Sequence, residues 1–197
     1  MKKKAIIVSL ITSFLFFQNA SSAPTPTDPK KQTPWGLYVD SKEAYNLKQK
    51  HGEKALFIDV RDPVEIQFTG FTDSVDINIP FMVANSQKWD AKKSVLKMEK
   101  NPDYVSDIEK ILALQGLTKS DIVIVMCRSG GTRGAPAANV LFKEGYKQVY
   151  VVTDGFEGSA LKEGKNKGWR LKNGWKNSNL PWGYKLNKDK MYFKSTF

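Results

Sequence analysis

Three short, largely apolar runs constrain the fold of this chain most strongly. They occupy residues 55–60 (ALFIDV), 121–126 (DIVIVM) and 149–152 (VYVV), and none alternates between polar and apolar residues. A strand that is buried on both faces has this pattern, because neither face is exposed to water. Segments with helical features separate the runs, and the order β-α-β-α-β predicts parallel strands joined by right-handed crossovers. The sequence therefore predicts an α/β domain with a central parallel sheet.

Local signals predict the remaining elements. Gly52, Gly116 and Gly145 are natural helix stops, and Pro80 ends a short strand. Residues 81–102 give no clear assignment. The predicted elements are a strand within 35–39, a helix over 42–49 with Ser41 as N-cap, a short helix over 64–68, a strand over 77–79, a helix over 104–115 with Asp103 as N-cap, and a helix that follows Gly134 and ends near Glu144.

The N-terminal residues have the layout of a secretory signal peptide. Three lysines precede an uncharged, mostly apolar run over 5–17, and small residues follow at 21–23. We therefore predict a signal peptide over residues 1–23 and a periplasmic or secreted mature protein, with a cut after Ala23 or after Ser22. An uncleaved N-terminal anchor is the alternative. No second apolar run approaches the ~20 residues of a membrane span, so we expect no stable span after cleavage.

The mature chain divides into three parts by composition. Residues 24–36 are rich in Pro, Thr and Lys and predict a flexible leader, residues 37–160 form the domain, and residues 161–197 form a basic, aromatic-rich extension. The formal net charge is +11. Residues 24–157 hold equal numbers of basic and acidic residues, so the excess charge lies at the two ends. Basic and aromatic residues together can bind nucleic acid or an anionic surface. Export disfavours nucleic acid, and we expect the aromatic side chains to pack on the domain while the lysines face water.

Cys127 is the only cysteine and can form no internal disulfide. It directly follows the strongest predicted strand, and a glycine-containing loop then leads into a helix. Backbone N–H groups of such a loop, together with the helix dipole, form a cradle for an anion and favour a thiolate over a thiol. The pattern predicts a nucleophilic cysteine in an anion-binding loop. The alternative is a cysteine that only fills the core. The predicted loop residues are Arg128, Ser129, Gly130, Gly131, Thr132 and Arg133.

Other candidate residues are few. Asp59 and Arg61 end the first buried strand at the sheet edge where ligands of open α/β sheets bind. They either support the loop through a salt bridge or form a purely structural ion pair. Glu65 either joins this network or is simply exposed. With one histidine, one cysteine and no phosphate-binding glycine motif, the sequence predicts no metal site and no cofactor.

Four segments, in order, resemble the rhodanese family: FIDVRDPVE at 57–65, Asn78-Ile79-Pro80, the loop from Cys127 to Arg133, and VTDGFEG at 152–158. The resemblance covers about residues 37–160. It implies a three-layer α/β/α fold with a central parallel sheet and a sulfurtransferase mechanism. Cys127 would take sulfane sulfur from a small anionic donor such as thiosulfate and pass it, as a persulfide, to a thiol or another thiophilic acceptor. Residues 174–182 resemble a segment of exported bacterial members.

Two features depart from the family pattern. Arg133 lies six residues after Cys127, whereas the sulfurtransferase loop places its arginine five residues after the cysteine. The longer spacing resembles related cell-cycle phosphatases. The family's Gly-His-Ile is replaced by Gly70-Phe71-Thr72. These departures leave two alternatives. One is phosphatase-like or arsenate-reductase-like oxyanion chemistry, which export and the lack of a resolving thiol disfavour. The other is a non-catalytic module that binds an anion or a partner and would tolerate Cys127→Ser.

Overall fold

A computed structural model describes residues 23–193 of the chain. These residues form seven strands and four α-helices, besides short 3₁₀ turns. The strands are β1 (Tyr38–Val39), β2 (Ala55–Asp59), β3 (Ile77–Asn78), β4 (Met82–Asp90), β5 (Val95–Lys100), β6 (Ile122–Met126) and β7 (Gln148–Val152). The helices are α1 (Ser41–His51), α2 (Pro63–Thr69), α3 (Tyr104–Leu114) and α4 (Gly134–Lys143).

The predicted central parallel sheet is confirmed. Its five strands follow the order β1-β7-β6-β2-β3, and every neighbouring pair is parallel. The two central strands pair along their whole length, from Ala55 opposite Ile122 to Asp59 opposite Met126. All of β2 is buried, as its apolar pattern predicts. The carboxyl ends of β2 and β6 therefore lie side by side at one edge of the sheet.

Helices cover both faces of the sheet, which confirms the three-layer α/β/α architecture. Successive side chains of a strand point to opposite faces. Leu56 and Ile58 accordingly belong to one hydrophobic cluster with side chains of α3 and α4. Phe57 lies between them in sequence and belongs to a second cluster with Ala44 of α1 and Ile66 of α2. Each face of the sheet thus packs against its own pair of helices.

Helix starts differ in detail from the sequence predictions. Asp40, not Ser41, is the N-cap of α1, and it forms a capping box with Glu43. The Ser41 hydroxyl instead donates to the Asp154 carboxylate at 2.8 Å. Asp103 is the N-cap residue of α3, as predicted, although its side chain makes no capping hydrogen bond to the helix. The Ser41 prediction was therefore wrong, whereas the Asp103 prediction and the positions of the helices are confirmed.

The segment that the sequence left unassigned is a β-hairpin. Strands β4 and β5 pair antiparallel and form a sheet of their own, with a register shift between Asn85 and Trp89. Most of the side chains of the hairpin are exposed or half-buried. Because neither face is fully buried, the sequence lacks the alternation that would reveal the strands. We call residues 82–100 the hairpin from here on.

Both ends of the described chain pack on the domain. The segment over 24–36, for which we expected a flexible leader, contains a 3₁₀ turn, and Trp35 packs edge-on against Phe142 at 4.8 Å between ring centroids. Ala23 is buried, and its N–H donates to the Tyr38 carbonyl at 3.0 Å. Residues 1–22 of the predicted signal peptide lie outside the described residues. Between residues 23 and 193, no helix combines the length and apolarity needed to cross a membrane.

The C-terminal extension also packs on the domain as far as it is described. Trp175 is completely buried in the second hydrophobic cluster, and Met191 joins it. Phe71, which replaces the family histidine, forms an isolated antiparallel bridge with Gly183 of the extension. Trp169 and Tyr184 remain exposed. The expected packing of aromatic side chains is therefore confirmed for Trp175, whereas Trp169 and Tyr184 lie at the surface.

Candidate active site around Cys127

Cys127 directly follows β6 at the carboxyl end of that strand, at the start of the loop that leads to the helix α4. Only 2% of its surface is exposed. A side-chain carbon at position 134, the first residue of α4, would lie 3.6 Å from the Cys127 Sγ and 3.1 Å from the Val151 Cγ1. Glycine at this position therefore avoids a tight contact with Val151 and leaves the N-terminus of α4 beside the sulfur. The positive end of a helix dipole favours an anion bound there.

The loop over residues 128–133 keeps its backbone donors free of protein acceptors. Among the backbone hydrogen bonds outside helices and strands between residues 23 and 193, none has an N–H of residues 128–133 as its donor. Buried N–H groups are normally paired, and Gly130 and Gly131 are buried. Donors without a backbone acceptor, next to the N-terminus of α4, are what an anion-binding loop requires.

The segment over residues 153–158, which we call the closing segment, is hydrogen-bonded to this loop. We call this side of the loop its back, and the side that faces the hairpin its front. The Phe156 N–H donates to the Cys127 carbonyl and the Glu157 N–H to the Arg128 carbonyl, both at 2.8 Å. Gly155 has φ +64°, and a Cβ there would lie 2.5 Å from the Cys127 carbonyl oxygen. Gly130 has φ +60°, and its Cβ would overlap the Thr153 carbonyl. Both close approaches require glycine.

Each arginine of the loop forms an ion pair with a carboxylate. Arg133 donates two hydrogen bonds to Glu65 of α2, at 2.5 and 2.8 Å. Burial acts to lower the pKa of Arg133, but the hydrogen bonds and charge of Glu65, with a smaller contribution from Cys127, raise it overall. Arg128 donates from Nε to Glu157 at 2.5 Å. Because both guanidinium groups already have partners, the backbone N–H groups remain the main donors for a bound anion.

Asp59 and Arg61 form a buried structural ion pair. Both side chains are completely buried, and the Arg61 Nε lies 3.0 Å from each Asp59 carboxylate oxygen. The guanidinium also donates to the Thr69 hydroxyl and the Gly70 carbonyl. It lies 4.0 Å above the ring of Phe156. The pair therefore reaches the cysteine loop only indirectly, because Phe156 in turn donates its N–H to the Cys127 carbonyl.

The C-terminal extension is hydrogen-bonded to the closing segment on the side that faces away from the cysteine loop. The Trp175 N–H donates to the Gly155 carbonyl and the Lys176 N–H to the Phe156 carbonyl, both at 2.9 Å. The Trp175 ring packs against Phe57, with 5.7 Å between ring centroids. The Lys176 Nζ lies 3.7 Å from the Glu157 carboxylate. The closing segment is thus held between the cysteine loop and the extension.

Asp154 anchors this junction. Its carboxylate accepts hydrogen bonds from the Ser41 hydroxyl at 2.8 Å and from the Gly174 N–H at 3.0 Å. Burial raises the pKa of Asp154, and the two hydrogen bonds oppose that shift. One side chain therefore joins α1, the closing segment and the extension.

A cleft of about 670 Å³ separates the front of the loop from the hairpin. The loop contributes Arg128, Thr132 and Arg133 to its wall, and Glu65 lies beside them. The hairpin contributes an apolar set and several charged residues. They are Met82, Asp90, Lys93, Val95, Leu96, Lys97 and Met98.

Comparison with known proteins identifies the family. A family model described as the rhodanese-like domain matches residues 41–162, which is more than half of the chain. The chain belongs to the rhodanese-like domain family. An uncharacterized protein of Rickettsia conorii is 30% identical to this rhodanese-like protein over 148 residues, covering 74% of this chain and 96% of the relative.

The chain is also similar to solved structures. Rv0390 of M. tuberculosis is 24% identical, covers 75% of this chain and 97% of its own, and superposes with a TM-score of 0.55. The polysulfide-sulfur transferase homodimer of Wolinella succinogenes is 24% identical, covers 74% of this chain and 77% of its own, and gives a TM-score of 0.41. At 24% identity, the likeness to Rv0390 shows a shared fold.

The structure brings most of the predicted site residues together and adds others. Cys127 and the loop residues lie as predicted between β6 and α4, whereas Asp59 and Arg61 lie behind the closing segment. Sequence reasoning did not identify Glu157 or Trp175 as parts of the site, because their contacts with Arg128 and Gly155 join irregular segments that no sequence pattern marks. Within residues 23–193, no cluster of three or more His, Cys, Asp or Glu side chains could hold a metal ion.

Proposed function

We propose that this rhodanese-like protein is a sulfurtransferase that carries sulfane sulfur on Cys127 as a persulfide. The observation that supports this most directly is the loop over 128–133, whose backbone N–H groups have no acceptor in the described backbone outside helices and strands. Such a cradle stabilises the negative charge of a persulfide and of an anionic donor. Thiosulfate is the simplest donor of this kind.

The transfer takes place in two displacements. The Cys127 thiolate attacks the outer sulfur of thiosulfate, the sulfur–sulfur bond breaks, and its electron pair leaves with sulfite. Cys127 then carries a persulfide with one negative charge. A thiophilic acceptor such as cyanide attacks the outer sulfur and leaves as thiocyanate, which regenerates the thiolate. Because the cysteine reacts as a thiolate beside the N-terminus of α4, neither step needs a general base.

Oxyanion chemistry of the phosphatase or arsenate-reductase type is the second candidate. The spacing of six residues from Cys127 to Arg133 favours it. The ion pair of Arg133 disfavours it, since a guanidinium that bound a phosphate with two hydrogen bonds would have to release Glu65. A non-catalytic anion-binding role is the third candidate. We also propose that the protein is exported, on the basis of its N-terminal sequence.

Intact-protein mass spectrometry tests the proposal. The purified chain is incubated with thiosulfate, and Cys127→Ser serves as the control. We expect a gain of one sulfur atom, about 32 Da, in the wild type only, and its loss on addition of cyanide. If the thiol alkylates readily but gains no sulfur, the sulfurtransferase proposal is wrong, and phosphatase and arsenate assays decide between the remaining candidates.

A further inference from the structure

The C-terminal extension contains a surface turn whose positive charge is not neutralised. This turn, residues 161–172, is called the basic turn from here on, and it holds five basic residues against Glu163 as its single acid. Its four lysines are exposed, and within residues 23–193 their side chains have neither an ion pair nor a hydrogen bond. The basic turn can therefore attract an anionic surface. The four lysines are Lys162, Lys165, Lys167 and Lys172.

Exposed apolar side chains accompany this charge. Trp169 is 64% exposed and Leu171 is 47% exposed. Arg170, which lies between them in sequence, instead reaches back to the domain and donates to the Gly158 carbonyl at 2.6 Å. Exposing an indole ring and a leucine to water is unfavourable, so both side chains gain free energy when another apolar environment covers them. The basic turn thus presents cationic and apolar groups together.

Backbone hydrogen bonds hold the basic turn in one conformation. The Leu161 N–H donates to the Trp169 carbonyl at 2.9 Å, and the Gly168 N–H donates to the Leu161 carbonyl at 3.0 Å. At the base of the turn, the Ser159 N–H donates to the Asn173 side chain at 2.8 Å. Because the turn is already ordered, binding to a surface costs it little conformational entropy.

We propose that the basic turn docks the protein on a lipid bilayer with anionic headgroups. Trp169 and Leu171 enter the interfacial region of the bilayer, where tryptophan is a preferred residue. The lysines of the turn contact the anionic headgroups. This inference goes beyond the proposed function, and it does not depend on the chemistry of Cys127.

The composition of the basic turn favours a bilayer over a nucleic acid or an acidic protein. Single-stranded nucleic acids stack their bases on aromatic rings, and a leucine beside the ring contributes nothing to that contact. The buried cores of protein–protein interfaces are depleted in lysine. The interfacial region of a bilayer accepts both kinds of group, because charged headgroups there adjoin apolar acyl chains.

Co-sedimentation of the purified chain with vesicles tests the proposal. Vesicles of phosphatidylglycerol and phosphatidylcholine in equal parts are compared with vesicles of phosphatidylcholine alone. Each basic residue near an anionic surface contributes about 1 kcal/mol, which is roughly fivefold in the partition coefficient. A variant that combines Lys162→Gln, Lys165→Gln and Lys167→Gln should bind the anionic vesicles roughly tenfold or more weakly than the wild type. Trp169→Ala should bind them about fivefold more weakly, since the apolar contact of the ring is lost.

Two matched controls make the result specific to the basic turn. Trp89→Ala removes a tryptophan of nearly equal exposure (62%, against 64% for Trp169) from the hairpin. A triple variant with Lys54→Gln, Lys143→Gln and Lys147→Gln removes the same charge from exposed lysines at the opposite edge of the sheet, where β2 and β7 begin and α4 ends. Both controls should bind the anionic vesicles as the wild type does, because salt screens charges that lie farther from the membrane than about 10 Å.

Quenching of tryptophan fluorescence by brominated lipids in the anionic vesicles locates Trp169 directly. The wild type should be quenched more strongly than Trp169→Phe. This measurement holds even if residues 1–22 also bind the vesicles, because the two chains share those residues and differ only at position 169.

Several outcomes would overturn the proposal. Equal losses in the two triple variants would show that only the net charge matters. Equal quenching of the wild type and Trp169→Phe would show that the turn does not enter the bilayer, and an equal loss in Trp89→Ala and Trp169→Ala would contradict a contact at the turn. If DNA or polyglutamate binds more tightly than the vesicles and requires Trp169, the partner is another polyanion and the assignment to a bilayer is wrong.

Discussion

The two sides of the cysteine loop differ sharply in how they are built. Behind the loop lie the closing segment and the C-terminal extension, joined by backbone hydrogen bonds and by the completely buried Trp175. In front of it lies the hairpin, whose Trp89 is 62% exposed. The two sides of the loop therefore have different roles. The back holds the Cys127 backbone in place, as the proposed sulfur transfer would require, while the front offers a surface that can vary without disturbing the core.

The attachments of the hairpin support this view. Its body meets the domain through the Ala84 N–H, which donates to the Asp62 carboxylate at 2.8 Å. Just outside its two ends, the Asn101 N–H donates to the Phe81 carbonyl at 3.0 Å, and Phe81 packs against Tyr104. The flanks of the hairpin are thus anchored, whereas its strands pair chiefly with each other. Changes in the strands should alter the cleft more than the stability of the domain.

The largest expected change in the free energy of unfolding comes from replacing the buried Trp175, with the exposed Trp89 as its matched control. Trp175→Ala removes a completely buried aromatic side chain from the second hydrophobic cluster, and large-to-small changes of this kind cost about 3–5 kcal/mol of unfolding free energy. Trp89→Ala removes an exposed side chain and should change the free energy by about 0.5 kcal/mol or less. Urea denaturation of both variants measures the difference. Equal losses would contradict the contrast between the two sides.

The second prediction concerns the close contact of the closing segment with the loop. Gly155→Ala places a Cβ 2.5 Å from the Cys127 carbonyl oxygen at φ +64°. We expect the free energy of unfolding to fall by about 2–5 kcal/mol. Backbone strain in the left-handed conformation contributes ~1–2 kcal/mol, and overpacking contributes ~1–3 kcal/mol. Sulfur transfer should fall with it, because the contact displaces the cysteine backbone.

Gly164→Ala is the matched control for this change. Gly164 has φ +81°, but an added Cβ would meet no atom within 4 Å. Gly164→Ala should therefore lower the free energy of unfolding by ~1–2 kcal/mol through backbone strain alone, and it should leave the rate of sulfur transfer unchanged. If the two alanine variants lose the same stability and activity, the close packing behind the loop has no role in positioning the cysteine.

Elements with a strong local pattern could be predicted from the sequence, and these include the core of the site. The buried strands β2, β6 and β7 have continuous apolar runs, and the strand–loop–helix order identifies Cys127 and its loop. The hairpin lacks a buried face, so its strands carry no pattern. The Ser41 prediction failed because Asp40 and Ser41 are both good N-caps, and tertiary contact with Asp154 decides between them.

Contacts between irregular segments could not be predicted. The closing segment and the extension meet through backbone hydrogen bonds, which any residue type can form, so no sequence pattern marks them. The partners Glu65 and Arg133 lie 68 residues apart and on different elements. The family pattern places a glutamate at position 65, but its partner depends on how α2 approaches the loop, which only the folded structure specifies.

The smallest expected effect concerns the ion pair that holds the front of the loop. Glu65→Gln replaces the carboxylate that accepts two hydrogen bonds from Arg133, and such charged hydrogen bonds contribute about 1.5–3 kcal/mol. We expect the free energy of unfolding to fall by about 1–2 kcal/mol, because the amide oxygen of the glutamine can still accept one hydrogen bond from Arg133. Cys127, which is 2% exposed, should also react faster with iodoacetamide, since the loop opens more often.

Glu109→Gln tests whether this response is specific to the loop. The Glu109–Lys119 pair is exposed (43% and 41%), so its loss should change neither stability nor alkylation measurably. Faster alkylation in Glu65→Gln alone would show that α2 restrains the front of the loop. Unchanged alkylation, despite a lower stability, would mean that the closing segment restrains the cysteine by itself. The contrast between the two sides would then be sharper than the ion pair suggests, since the front would contribute nothing to holding the cysteine.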